Sequence, residues 1–337
     1  MPPHRLPRIT AGSLAVLVVL GGAGCDLTAL PQPPAAPTST TGSSVSLFAE
    51  PDAGPQAVLD LIASAHGSLW MEMYLLTDAG AIAAIAGRAA AGCEVRVILE
   101  PAPYQADGAN QTAYDQLAAA GVDVRWSLPR FTYTHAKAFT IDHKRLAVLT
   151  LNLTGAGLGG NREYAAIDDD PTDVAAAETI FTADRLGAAT AAPAGQLIAS
   201  PESSRPTLLA LVGGARASLA LETEELSDAA IVSALLDARA RGVAVTVVWP
   251  GPATGAGAPF TTLAAAGATV RAAGAPAIHG KVLVADDRTL YVGSVNLTST
   301  SLDDNRELGL LLAAPQIAAE VGALVAADAA GGAAPAP

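Results

Sequence analysis

Apolar runs of strand character alternate with alanine-rich stretches along this chain, and the alternation follows one order twice. Residues 68–99 read as a strand, then Asp78 where a helix would begin, an Ala-rich helix over 79–92, and a strand over 95–99. Residues 218–249 do the same, with Asp228 at the helix start, Gly242 at its end and a strand over 245–249. Glu72 and Asp78 match Glu222 and Asp228 at a spacing of 150 residues. The run Leu-Ala-Ala-Ala-Gly at 117–121 returns at 263–267, 146 residues on. His135-x-Lys137 returns as His279-x-Lys281, and Asn161-Arg162-Glu163 as Asn305-Arg306-Glu307, each 144 residues on. Shared alanine content accounts for the pentapeptide, but not for two polar triplets returning in one order at one spacing. Alternating strands and helices predict an α/β sandwich with helices outside the sheet. The duplication divides it into a first half over 45–190 and a second over 191–330.

Ahead of the first half the pattern changes. Residues 1–25 carry Arg5 and Arg8, a short apolar run, and small residues up to Cys25. That order is expected of a secretory signal peptide, and the apolar run is too short for a membrane span. The residues before Cys25 resemble a bacterial lipobox, with Gly22 where that pattern prefers Leu. A lipidated Cys25 at the mature N-terminus, membrane attachment through it, and an exported or cell-envelope location are therefore expected, with plain secretion as the alternative. Residues 26–44, rich in Pro, Ser, Thr and Ala without periodicity, suit a flexible linker.

Composition narrows the function classes. Hydrophobic residues make up 51% and charged ones 15%, enough apolar material to bury a large core. The net charge of −13 disfavours nucleic acid as a partner, because phosphate backbones are held by clustered Lys and Arg. Two cysteines build neither a disulfide framework nor a Cys-rich zinc site. Cys93 is expected to be a buried, inert thiol.

Lysine occurs three times, at 137, 144 and 281, and two of the three stand two residues after a histidine. A strand over 134–141 would point His135 and Lys137 to one face. The next strand, over 146–151, would end with Thr150 and Asn152 on one face, matched by Ser294 and Asn296. Each half thus offers an imidazole, an ammonium, an amide and a hydroxyl, with Glu163 or Glu307 following. By strand parity Asp142 and Asp286 face away and order a turn, leaving the glutamates to orient the rings.

This set suits cleavage of a phosphodiester without a metal or cofactor. One neutral imidazole attacks phosphorus, and the other protonates the leaving oxygen and then activates water. Lys137, Lys281, Asn152 and Asn296 would hold the non-bridging oxygens. Trp126, Phe131 and Tyr133 lead into the first motif, and Trp70 and Tyr74 lie on the earlier strand. Trp126 and Tyr133 above all are candidates to line an apolar pocket or hold a quaternary ammonium. Core packing beside the site is the alternative for each ring.

The doubled HxKxxxxD, at His135/Lys137/Asp142 and His279/Lys281/Asp286, followed by Gly293-Ser294-x-Asn296, resembles the phospholipase D superfamily over nearly all of residues 45–325. The resemblance implies two homologous α-β-α sandwich halves related by a pseudo-twofold, with one active site between them. It brings Asp142 and Asp286 into the set of catalytic candidates and makes His135 the expected nucleophile and His279 the acid. The first copy departs from the pattern by reading Leu149-Thr150-Leu151-Asn152, so Leu149 is expected to narrow or tilt that side. A monomeric, exported hydrolase of phospholipid head groups follows as the expectation. The alternatives are an exported nuclease, a cardiolipin synthase-like phosphatidyltransferase, and a non-catalytic binding protein.

Overall fold

A computed structural model of the protein describes residues 45–251 and 257–334. The segments expected to be a signal peptide ending at Cys25 (1–25) and a linker (26–44) lie outside the described residues. The first half runs β1 (Val45–Glu50), α1 (Gln56–Ala63), β2 (Ser68–Met73), α2 (Ala79–Ala90), β3 (Glu94–Leu99), α3 (Gln111–Ala119), β4 (Asp123–Trp126), β5 (Lys137–Ile141), β6 (Arg145–Leu149), α4 (Gly155–Gly159), β7 (Asn161–Asp168) and α5 (Pro171–Leu186). The second runs β8 (Leu197–Ser200), α6 (Ser204–Gly214), β9 (Ser218–Glu222), α7 (Ala229–Ala240), β10 (Ala244–Trp249), α8 (Gly257–Ala265), β11 (Thr269–Ala272), β12 (Ala277–Ile278), β13 (Val282–Ala285), β14 (Thr289–Gly293), α9 (Ser299–Asp303), β15 (Glu307–Leu312) and α10 (Pro315–Gly331).

The strand order of the first sheet, β1-β7-β6-β5-β2-β3-β4, is that of the second, β8-β15-β14-β13-β9-β10-β11. In each, β-α-β units make the parallel edge and hairpins make the antiparallel remainder. The aspartates that mark the repeat start matching helices. Asp78 accepts from the Ala81 N–H at 2.9 Å, and Asp228 from Ala230 and Ile231 at 3.1 and 3.0 Å. Each sheet is apolar on both faces and covered on both, as parallel pairing requires. Helices α1–α3 close the outer face of the first sheet and α6–α8 that of the second. Between the inner faces lies one shared core, where Val148 and Ala166 meet Val292 and Leu310 with α5 and α10 at its sides. Cys93 is buried, its thiol donating to the His66 carbonyl at 3.0 Å.

The halves also exchange backbone. The strand expected over 134–141 enters its sheet only at Lys137. Residues just before it leave the sheet and bond to the other half: the Arg306 N–H donates to the Tyr133 carbonyl at 2.9 Å, and the His135 N–H to the Arg306 carbonyl at 2.8 Å. Reciprocally, β12 pairs with Asn161 and Arg162, and the His279 N–H donates to the Arg162 carbonyl at 3.3 Å. Each histidine is thereby stitched to the Asn-Arg-Glu triplet of the opposite half.

Candidate active site

That stitching decides which carboxylate meets which ring. Glu307 follows Arg306, so the second half's glutamate reaches the first half's histidine, with Glu307 Oε2 2.8 Å from His135 Nδ1. In the mirror arrangement Glu163 Oε1 lies 2.6 Å from His279 Nδ1. The repeat names the two glutamates but not their partners, and the pairing runs across the seam. A carboxylate on Nδ1 fixes the tautomer and turns Nε2 to chemistry, free, among the described residues, of a second carboxylate in His135 and facing Glu224 in His279. Both glutamates are fully buried and held from behind. Thr150 donates to Glu163 at 2.6 Å, and the Asn305 side-chain amide to Glu307 at 3.1 Å. Burial would raise the Glu307 pKa, but His135 and Lys137, with a smaller contribution from Ser294, hold it below the usual carboxylate range.

The two ammoniums come from the first residue of β5 and the residue before β13. Lys137 donates to the His135 carbonyl at 2.8 Å and lies 4.8 Å from the centre of the Tyr74 ring. Lys281 donates to the His279 carbonyl at 2.6 Å. Lys281 lowers the affinity of both His135 and Lys137 for protons, so the two motifs share one electrostatic site. Burial, over the opposing pull of Glu307, brings His135 down to about 4, and it brings Lys137 down to about 7 with Lys281 adding to the effect. Bridges Leu76–Leu153 and Leu226–Leu297 lay Asn152 and Asn296 beside the loops carrying Tyr74 and Glu224.

Other candidates sit elsewhere. Asp142 and Asp286 are not with the histidines. Asp142 accepts from the N–H groups of His66, Gly67 and Ser68, and Asp286 from those of Arg216, Ala217 and Ser218. Burial would raise both pKa values, but the three N–H groups hold them below the usual range. With φ of +55° and +54°, each aspartate also accepts a left-handed turn that most residues avoid. Asp142→Ala should therefore cost about 1–3 kcal/mol of stability and leave kcat of the folded protein within about twofold. Thermal melts and initial rates on one preparation check this.

Trp126 is likewise not brought to the histidines. It stacks on Tyr114 of α3 with 4.3 Å between centroids, inside the outer core, because β4 is the last strand of its sheet. Trp70 stacks on Phe181. Tyr133 does reach the site, edge-on to Tyr74, which lies 4.4 Å from the His135 ring.

Leu149 neither narrows nor tilts the site, because it is buried in the outer core. Its counterpart Gly293 is packed too tightly for a side chain, a Cβ there lying 2.6 Å from the Leu308 carbonyl oxygen and 2.7 Å from the Tyr291 hydroxyl. The first half has Ala147, Leu149 and Ala165 where the second has Tyr291, Gly293 and Gly309. The one large residue has moved two positions along the equivalent strand, from the place of Leu149 in β6 to that of Tyr291 in β14, and small residues fill the other two places.

Two groups of site residues escape a reading by motif. The arginines of the repeated triplets are buried clamps across the seam. Arg306 donates to Asp184 at 2.6 Å, to Glu202 at 2.6 Å and to the Ser200 carbonyl at 2.7 Å. Arg162 donates to Asp328 at 2.7 Å and Asp52 at 2.5 Å. The second is Glu224, whose Oε2 lies 3.1 Å from Lys281 Nζ and 3.3 Å from His279 Nε2.

Comparison with known proteins agrees with the two-half fold. The family model described as "Cardiolipin synthase, PLD-like domain" matches twice, over residues 58–185 and 208–328. Among solved structures, polyphosphate kinase from Porphyromonas gingivalis is similar with a TM-score of 0.66 at 14% identity, over 84% of this chain and 46% of its own. The chain thus spans about half the length of that kinase. Phosphatidylserine synthase from Haemophilus influenzae is similar with a TM-score of 0.63 at 11% identity, over 85% of both chains. No curated protein sequence matches.

Proposed function

The chain belongs to the phospholipase D-like family, whose enzymes act on phosphodiester bonds, and from that premise we propose that it is an exported phospholipase D-type hydrolase releasing phospholipid head groups without a metal. The observation that supports this reading is the crossed pair of histidine–glutamate contacts, by which the two motifs share one seam between the halves.

In the first step Nε2 of His135, neutral at physiological pH, attacks phosphorus. The phosphorus–oxygen bond to the head group breaks, and His279 gives its Nε2 proton to the departing alkoxide. Water then loses a proton to His279 and attacks the phospho-histidine; the phosphorus–nitrogen bond breaks and returns its electron pair to His135. Lys137 and Lys281 counter the charge on the non-bridging oxygens, aided by the Asn152 and Asn296 amides. The asymmetry around the rings supports this division of labour. His135 faces Tyr74 and is driven neutral by burial, whereas His279 lies between the carboxylates of Glu163 and Glu224. A lipid anchor on Cys25 would hold the enzyme at its substrate, and with both motifs on one chain a monomer suffices.

Head-group release from phospholipid vesicles with chelator present tests the reading, and turnover that requires a divalent metal would overturn it. The pH dependence of kcat/KM should be bell-shaped. The rate rises as pH passes about 4, where His135 loses its proton, and falls beyond about 7, where Lys137 loses its charge. A single sigmoid is the contrary result. The family's description as cardiolipin synthase favours a second reading, in which an alcohol replaces water in the second step. Phosphatidylglycerol formed when glycerol is added would reveal it.

A further inference from the structure

Tyr74 and Glu224 occupy matching positions of the two halves, 150 residues apart, each just beyond the strand that carries the repeated glutamate. In the first half the position presents a neutral ring to His135 and Lys137. In the second it presents a carboxylate whose Oε2 touches both His279 Nε2 and Lys281 Nζ. Because Glu163 holds Nδ1, Nε2 is the nitrogen through which His279 must act. Glu224 therefore stands where an oxygen of the bound phosphate would stand. Its side chain is 30% exposed and follows β9 on a loop, so it can swing aside, but its backbone keeps the charge at the pocket's edge.

We propose that Glu224 is a specificity-determining residue that admits the singly charged phosphodiester and expels the doubly charged phosphomonoester formed by hydrolysis. The inference rests on the phosphodiesterase reading above. A diester carries one negative charge, and a monoester carries nearly two at neutral pH. Repulsion by a fixed carboxylate scales with the ligand's charge, so Glu224 penalises the product about twice as strongly as the substrate on a logarithmic scale. The titratable groups facing it are Lys281, Lys137, His279 and His135 on one side and Glu163, Glu307 and Glu225 on the other; with His135 neutral, the cations do not swamp its charge. The first half lacks a counterpart, so the effect falls on the side where the leaving group departs.

Calorimetric binding of dimethyl phosphate and methyl phosphate at about pH 8, a monoanion and a dianion, tests the proposal in the full chain. Glu224→Gln should tighten dimethyl phosphate about threefold and methyl phosphate about tenfold. Glu224→Tyr, which installs the first half's residue, should show the same unequal gain and serves if the glutamine variant folds poorly. Equal gains for both anions would overturn the proposal, since they would mean that Glu224 only fills space. So would failure of every protein to bind either anion. Turnover of a nitrophenyl phosphodiester is read separately. No turnover with the unequal gains intact overturns the proposed function and not the role of Glu224, whereas turnover with equal gains does the reverse.

Discussion

His135→Asn lowers kcat by at least about 10⁴-fold, because the side chain that would form the covalent intermediate is gone while its surroundings remain. Asparagine fills much of the imidazole's volume and can still donate to Glu307, so the pocket keeps its shape and the loss is chemical. His279→Asn fails differently. With a phospholipid, whose leaving alkoxide needs a proton, it is as inactive. With a nitrophenyl phosphodiester the leaving group departs unaided, so the first step still runs. Rapid mixing should then show one equivalent of nitrophenol released in a burst, followed by a stall at the phospho-enzyme. His135→Asn should show no burst. A burst in His135→Asn and none in His279→Asn would exchange the two roles.

The largest loss of stability is expected at Arg306, whose guanidinium has no exposed surface and joins Asp184 across the seam to Glu202 of its own half. Arg306→Met leaves two buried carboxylates and the Ser200 carbonyl without their donor, which costs about 3–5 kcal/mol and lowers Tm by roughly 10 °C. Most of the penalty comes from the abandoned charges. Adding Asp184→Asn and Glu202→Gln to Arg306→Met should therefore restore part of the stability that the single change removes. Denaturant titration of the three proteins measures this, and a single-variant loss below about 1 kcal/mol would show that the clamp contributes little.

Duplication made much of this legible before any coordinates. His135, Lys137 and Glu163 stand out because each has a twin in the same order, and the strand-helix alternation implied the layered halves. What the sequence hid has physical causes. The crossing of the glutamates depends on backbone pairing between residues some 170 positions apart, as Glu307 and His135 are, and no local pattern encodes it. Glu224 is invisible to a search for repeats because it is where the repeat fails, although the Tyr74–Glu224 mismatch beside a twinned glutamate is itself a signal. Trp126 misleads because nearness along the chain to a motif does not tell which core a ring enters. Leu149 reads as a defect only until Ala147 and Ala165 are set beside Tyr291 and Gly309.

The backbone exchange at the seam has a consequence for when the enzyme becomes an enzyme. Neither half owns a finished histidine, since each ring draws its orienting carboxylate from across the join. A half folded alone would hold its own glutamate buried and its own histidine untethered. Competence toward a phosphodiester therefore arises in one stroke, at docking, and a chain still being made carries no half-built site.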